Sequence, residues 1–134
     1  MSVQYLLDTN TVSGIIRKRS SRLAQKLRTV SSASLMVSVI TEAEILFGLA
    51  RNPEATRLAQ DAQQVLKRLP TLAWTSQTAR TYAALRHATE RRGTGISAMD
   101  LLIASQAYEK GLTLVTNDLA LRELKDLLPV EDWL

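Results

Sequence analysis

Apolar and polar positions along this chain fall into two alternating kinds of block. Short apolar runs bounded by small polar residues occur at Tyr5-Leu6-Leu7, Leu35-Met36-Val37-Ser38-Val39, Thr71 to Trp74 and Leu112 to Val115. Each is too short for a buried helix and adequate for a buried strand. Between them, apolar residues recur at helical spacing. Helices are predicted over Asn10 to Ile16, from Ser21 with Leu23, Ala24 and Leu27 as its stripe, and over Thr41 to Leu49 with Ala43, Leu46, Phe47 and Ala50 as its apolar side. A further helix opens near Pro53 and carries Ala55, Leu58, Ala62, Val65, Leu66 and Leu69. Another is capped by Thr75 or Ser76, one begins at Ser97, and a short one covers about Leu119 to Lys125. Pro70, Gly93-Thr94-Gly95 and Gly111 supply the stops, and the tail from Pro129 adds an edge strand.

Strands alternating with helices specify parallel βα units on an open sheet. No repeat, linker or low-complexity stretch divides the 134 residues, which are therefore read as one domain, 1–134. In such a sheet the carboxyl ends of the strands form the rim where ligands bind. Asp8, with Thr9 and Asn10 behind it, stands at the end of the first run, and Thr116-Asn117-Asp118 at the end of a later one.

Composition narrows the chemistry. A hydrophobic share of 46% argues against disorder. With no cysteine, thiolate zinc clusters, disulfide scaffolds and thiol catalysis are excluded. The single histidine, His87, lies mid-helix and away from the acids, which leaves carboxylates and small polar groups. No stretch is apolar enough to span a bilayer and the N-terminus lacks a signal-type segment, so a cytoplasmic location is expected, with no membrane partner.

The net charge is +4, unevenly spread. Arg17, Lys18, Arg19, Arg22, Lys26 and Arg28 are uninterrupted by any acid, whereas Asp118 to Leu134 holds five acids against Arg122 and Lys125. A basic flank beside an acidic site suits a protein that holds a polyanion and reserves acids for metal, and the six cations are candidates for contacts to its backbone. A solvated helical face is the plain alternative.

Four carboxylates need explaining: Asp8, Glu44, Asp100 and Asp118. Singly, each has an ordinary reading. Thr41-x-x-Glu44 and Ser97-x-x-Asp100 match capping boxes, and Asp8 and Asp118 suit turns or caps. Jointly, all four can reach one rim, because strand carboxyl ends and helix amino ends lie together in a parallel sheet. Charges gathered there would repel unless a cation joined them. Mg²⁺ or Mn²⁺ suits an all-oxygen donor set, with Thr9, Asn10, Ser97, Thr116 and Asn117 available to steer carboxylates or waters.

These segments carry a family resemblance. Leu7-Asp8-Thr9-Asn10, Ala43-Glu44-Ile45-Leu46-Phe47-Gly48, Gly95 to Ala104 around Ser97 and Asp100, Leu114-Val115-Thr116-Asn117-Asp118 and the closing Val130-Glu131-Asp132-Trp133 together resemble a PIN-domain ribonuclease of the VapC toxin type, from bacterial VapBC toxin–antitoxin systems. The resemblance implies a three-layer α/β/α fold with a mostly parallel sheet of about five strands. It implies a Mg²⁺- or Mn²⁺-dependent endoribonuclease that cleaves structured RNA, tRNA or rRNA, and blocks translation, with Asp8, Glu44, Asp100 and Asp118 as catalytic and metal-binding residues. It further implies a homodimer, neutralisation by a cognate VapB-type antitoxin, and a higher assembly held on operator DNA through that antitoxin. After Asp118 the chain departs from many relatives by carrying Leu119-Ala120-Leu121 where an aromatic follows, so Asp118 is expected to act on the metal directly or through water. Two competing readings are a catalytically silent binding protein of the same fold and a response-regulator-like domain. The second wants a lysine near a late strand end, and Leu112 to Asp118 has none.

Overall fold

A computed structural model describes residues 2–134. Among them one five-stranded sheet, parallel throughout, is ordered β3-β2-β1-β4-β5. The strands are β1 (Tyr5–Leu7), β2 (Leu35–Ser38), β3 (Thr71–Leu72), β4 (Thr113–Val115) and β5 (Val130–Glu131). Seven helices surround it: α1 (Thr9–Arg17), α2 (Ser21–Thr29), α3 (Val39–Ala50), α4 (Thr56–Arg68), α5 (Ser76–Arg92), α6 (Ala98–Lys110) and α7 (Leu119–Arg122). This is the α/β/α arrangement expected, and the helices lie on both faces because a parallel sheet must be covered twice.

Alternate residues of the strands serve opposite cores. Leu6 and Leu114 point into a cluster with Leu101, Ile103, Leu121 and Leu124, while Leu7, Val37 and Val115 join Val12, Ile16, Leu23 and Trp133. Ile16 and Leu23 thus belong to the domain's own core, and Ile15 and Leu27 pack against it. Trp133, 2% exposed, stacks edge-on against Tyr5 at 4.8 Å between ring centroids and donates from Nε1 to Glu131 Oε1. The C-terminal residues are clamped from α2. Arg22 donates to the carbonyls of Asp132 and Leu134, and Lys26 lies 5.5 Å from the Trp133 ring centre. Gly14 is the position of close approach, since a Cβ there would meet Leu134 at 2.8 Å.

Capping follows the sequence at several points. Thr75 caps α5, Ser97 caps α6, and Gly93 and Gly111 end those helices in the left-handed conformation. Three expectations are corrected. The α4 helix starts at Thr56 and not at Pro53, because Asn52 to Ala55 closes a turn through Ala55 N–H to the Asn52 carbonyl. The cap of α3 is Ser38, whose Oγ accepts from Ile40 N–H, so Thr41 lies inside the helix and is not its cap. The side of α3 expected to be buried is the exposed one: Phe47 is 62% and Leu46 48% exposed, and Thr41, Ile45 and Leu49 face inward.

Candidate active site

Strand order determines which acids meet. The β1 strand lies between β2 and β4, so the carboxyl ends of all three open on one rim. Asp8 follows β1, Glu44 lies in the second turn of α3 after β2, and Asp118 follows β4 and caps α7. The α6 helix runs back against the strands, which brings its amino end and Asp100 to the same rim.

Asp8 is the most enclosed of the four, at 4% exposure. Its Oδ1 accepts from Thr11 N–H at 2.8 Å, capping α1, and its carboxylate also accepts from the Thr116 hydroxyl. The same Thr116 oxygen accepts from Asp118 N–H at 3.0 Å, so one buried hydroxyl ties the β1 and β4 corners together. Burial raises the Asp8 pKa above the ordinary aspartate value; the Thr116 and Thr11 bonds oppose this, and nearby Asp118 adds to it. Asp100 is raised too, first by burial, with Ser97 opposing and then Asp118, Asp8 and Glu44 each adding repulsion. The charge contributions are smaller than the burial effect, and they place the other three acids within electrostatic reach of Asp100. Glu44 Oε1 accepts from the Thr9 hydroxyl at 2.6 Å, and that hydroxyl is also 3.2 Å from Thr41 Oγ1. Asp118 Oδ1 accepts from Ala120 and Leu121 N–H, and Asn10 Nδ2 reaches Asn117 Oδ1 across the rim at 3.4 Å.

The donor set consists of carboxylate, hydroxyl and amide oxygens, which suits a hard divalent cation. Among the described residues no three acids stand close enough to enclose one ion. A Mg²⁺ ion here would take one or two of these carboxylates directly and keep waters in its other positions.

Beside Glu44 opens a groove of about 570 Å³, lined by Thr9, Asn10, Arg17, Gly48, Arg51, Ile45, Leu49 and Leu58 among others. Arg17, one of the six candidate RNA contacts, stands at this groove, and Lys18, Arg19 and Arg28 are exposed. Arg22 and Lys26 hold the C-terminal segment, as described above. Arg51 was not among the candidates, although Glu44, Gly48 and Arg51 at i, i+4 and i+7 share one face of α3, a spacing that could have found it. Gly48 does not serve close packing: nothing lies within 4 Å of where its Cβ would be, and it borders the groove. His87 is exposed on α5, a helix that carries none of the four acids.

Against known proteins, the family model described as PIN domain matches residues 5–127. The chain belongs to the PIN-domain family. Within it, this PIN domain is 30% identical over 132 residues to Ribonuclease VapC2 of Rickettsia felis, covering 96% of this chain and 97% of that one. It is 27% identical over 131 residues to the tRNA(fMet)-specific endonuclease VapC of Salmonella typhimurium, covering 98% of both. Its fold superposes on the DNA-bound VapBC structure from Salmonella typhimurium with a TM-score of 0.88 at 26% identity, over 99% of this chain and all of that one. The family resemblance read from the sequence is thereby borne out, as is the α/β PIN-like fold. No helix among the described residues is long and apolar enough to cross a membrane.

Proposed function

We propose that this PIN domain is a metal-dependent endoribonuclease toxin that cuts structured RNA, tRNA or rRNA, and so stops translation. The observation that carries this reading is the convergence of Asp8, Glu44, Asp100 and Asp118, from four separate segments, on one rim where Asp100 feels the other three. Asp8 and Asp100, with Glu44 and Asp118 beside them, would hold Mg²⁺ or Mn²⁺. When bound, the ion would supply an activated water and charge stabilisation for phosphodiester hydrolysis. The protein's own part is positional. Thr116 and Thr11 hold Asp8, Ser97 holds Asp100, Thr9 holds Glu44, and Asn10 in the first turn of α1 joins Asn117 in the loop after β4. Arg17 and Arg51 border the groove next to Glu44 and suit contacts to an RNA backbone.

Relatives named VapC ribonucleases and a VapBC neighbour bound to DNA support a cognate VapB-type antitoxin that suppresses the activity and carries the pair onto operator DNA. The groove, with an apolar floor from Ile45, Leu49 and Leu58 and charged walls from Glu44 and Arg17, suits the antitoxin's inhibitory segment. The exposed side of α3, with Ala43, Leu46, Phe47 and Ala50, suits a second copy of the chain, since contiguous exposed apolar residues mark contact surfaces.

The test is cleavage of total cellular RNA by the purified, antitoxin-free protein, wild type beside Asp8→Asn, with Mg²⁺, Mn²⁺ or EDTA, and mapping of new 5′ ends. Discrete cuts that need both metal and Asp8 are expected. Folded protein that binds RNA and cuts none of it under any condition would favour the catalytically silent reading.

A further inference from the structure

Resting on the reading of the rim as a cation site, we infer that Thr41 is a positioning residue that fixes the Glu44 carboxylate through Thr9. Thr41 is fully buried, and capping of α3 is already supplied by Ser38. Its hydroxyl is 3.2 Å from Thr9 Oγ1, which lies 2.6 Å from Glu44 Oε1. A hydroxyl owns one hydrogen and two acceptor positions. Thr9 spends its hydrogen on Glu44, so in the contact between the two threonines Thr41 is the donor. The result is a directed chain, Thr41 to Thr9 to Glu44, in which each bond polarises the next.

The geometry gives the chain a purpose. Thr41 and Glu44, three apart on α3, share one side of that helix, and Thr9 is the residue directly after Asp8. The hydroxyl pair therefore links the β1 corner, where Asp8 is already capped, to the acid with the longest side chain of the four. Asp8, Asp100 and Asp118 are short side chains at helix starts, each bonded to a neighbouring backbone N–H or hydroxyl. Glu44 has one more rotatable bond, lies a turn inside its helix, and has Thr9 as its hydrogen-bond partner. With Oε1 engaged by Thr9, Oε2 is the oxygen left for a cation or its waters. Because Thr41 is buried, water cannot replace its hydroxyl.

The test compares wild type with Thr41→Val, which removes only the hydroxyl, Thr41→Ser, which keeps it, and Thr9→Val, which breaks the chain at its middle if Thr41→Val fails to fold. Three readouts are taken: three-bond couplings that report Glu44 χ1 in the metal-free protein, Mn²⁺ affinity from the spin-resonance signal of free Mn²⁺, and kcat and KM on an RNA oligonucleotide cut by wild type. Thr41→Val is expected to be folded, with averaged Glu44 couplings, Mn²⁺ affinity reduced about 10–100-fold and a similar loss in kcat at unchanged KM, the size usual for groups that orient metal-binding side chains. Thr41→Ser should restore all three. Folded Thr41→Val with wild-type Glu44 couplings and Mn²⁺ affinity would overturn the assignment. If wild type itself binds no Mn²⁺ and cuts no RNA, the ribonuclease reading falls, while the couplings still decide whether Thr41 fixes Glu44.

Discussion

Replacing Asp8 separates two roles that the structure assigns to one carboxylate. Burial, reinforced by Asp118, disfavours its charge, so the ionised form costs stability in the metal-free fold. The same group caps α1 by accepting from Thr11 N–H at 2.8 Å, which contributes stability. Asp8→Asn removes the charge and keeps a side-chain oxygen able to cap. Its new N–H₂ can donate to Thr116, whose oxygen has an acceptor position left beyond the bond from Asp118 N–H. Asp8→Ala removes charge and cap together. The Asn–Asp difference therefore isolates the charge, and the Ala–Asn difference isolates the cap.

Loss of an N-cap costs about 1 kcal/mol, and for a chain of this size 1 kcal/mol moves Tm by about 4 °C. Thermal denaturation at neutral pH in EDTA should thus order the proteins Asp8→Asn above wild type, and Asp8→Ala about 4 °C below Asp8→Asn. Adding Mn²⁺ should then reverse the first pair. At a hundredfold excess over its dissociation constant the ion would stabilise wild type by about 2.7 kcal/mol, near 10 °C, and Asp8→Asn by much less. An Asp8→Asn protein that melts below wild type in EDTA would refute the claim that this charge is held at a cost. Equal Mn²⁺ stabilisation of the two would refute its role in holding the ion.

The metal-free protein should gain stability as pH falls from neutrality toward the ordinary aspartate range, read by urea midpoints across a pH series. Asp8 and Asp100 have folded pKa values above their unfolded ones, so their penalty is complete above the folded values and gone at the unfolded value. Below that range the trend should turn, as Asp126, held low by Arg92, is protonated and their pair is lost. Phe47→Glu should convert the proposed dimer to a monomer in light scattering, with Tm at concentrations where wild type is itself monomeric kept within about 2 °C, because an exposed substitution costs the monomer at most about 0.5 kcal/mol. Gly48→Ala should stabilise the fold by about 0.5–1 kcal/mol through helix propensity, and calorimetry should show weaker binding of the antitoxin's inhibitory segment to a groove with a methyl group added. Trp133→Ala should cost about 3–5 kcal/mol in denaturant unfolding, because it empties a site packed against Tyr5.

Much of the fold was legible because the strands are short apolar runs and the helix ends carry their own signals, as Thr75, Ser97, Gly93 and Gly111 do. The buried side of α3 is not legible for a definite reason. The helix carries Val39, Ile40, Ile45, Leu46, Phe47 and Leu49 around most of its circumference, so periodicity alone does not say which side meets the sheet. Its burial is settled by contacts with α1, α4 and α6, which are long-range. The four acids were legible as residues at element ends. That β1 lies between β2 and β4, which brings Asp118 beside Asp8 and opens the end of β2 on the same rim, depends on strand order and is written in no local stretch.

The local signals also explain why the site could pass for ordinary capping. Asp8 does cap α1, Asp118 does cap α7, and Ser97 and Asp100 do bond at the start of α6. Those bonds do not compete with a cation site, because an acid held by its cap is held in a fixed direction, and a carboxylate has acceptor positions beyond the one the cap uses. Glu44 departs from this pattern, and it is the acid whose expected cap partner, Thr41, turns away from the helix end toward Thr9. A chain that needed only helix caps has no use for a fourth carboxylate held by a threonine pair at the rim where Asp8, Asp100 and Asp118 stand. Asp118, Asp8 and Glu44 add repulsion to the burial that already disfavours the Asp100 charge, and positive charge entering the rim would offset it, which links folding of the metal-free protein to the chemistry proposed for the loaded one.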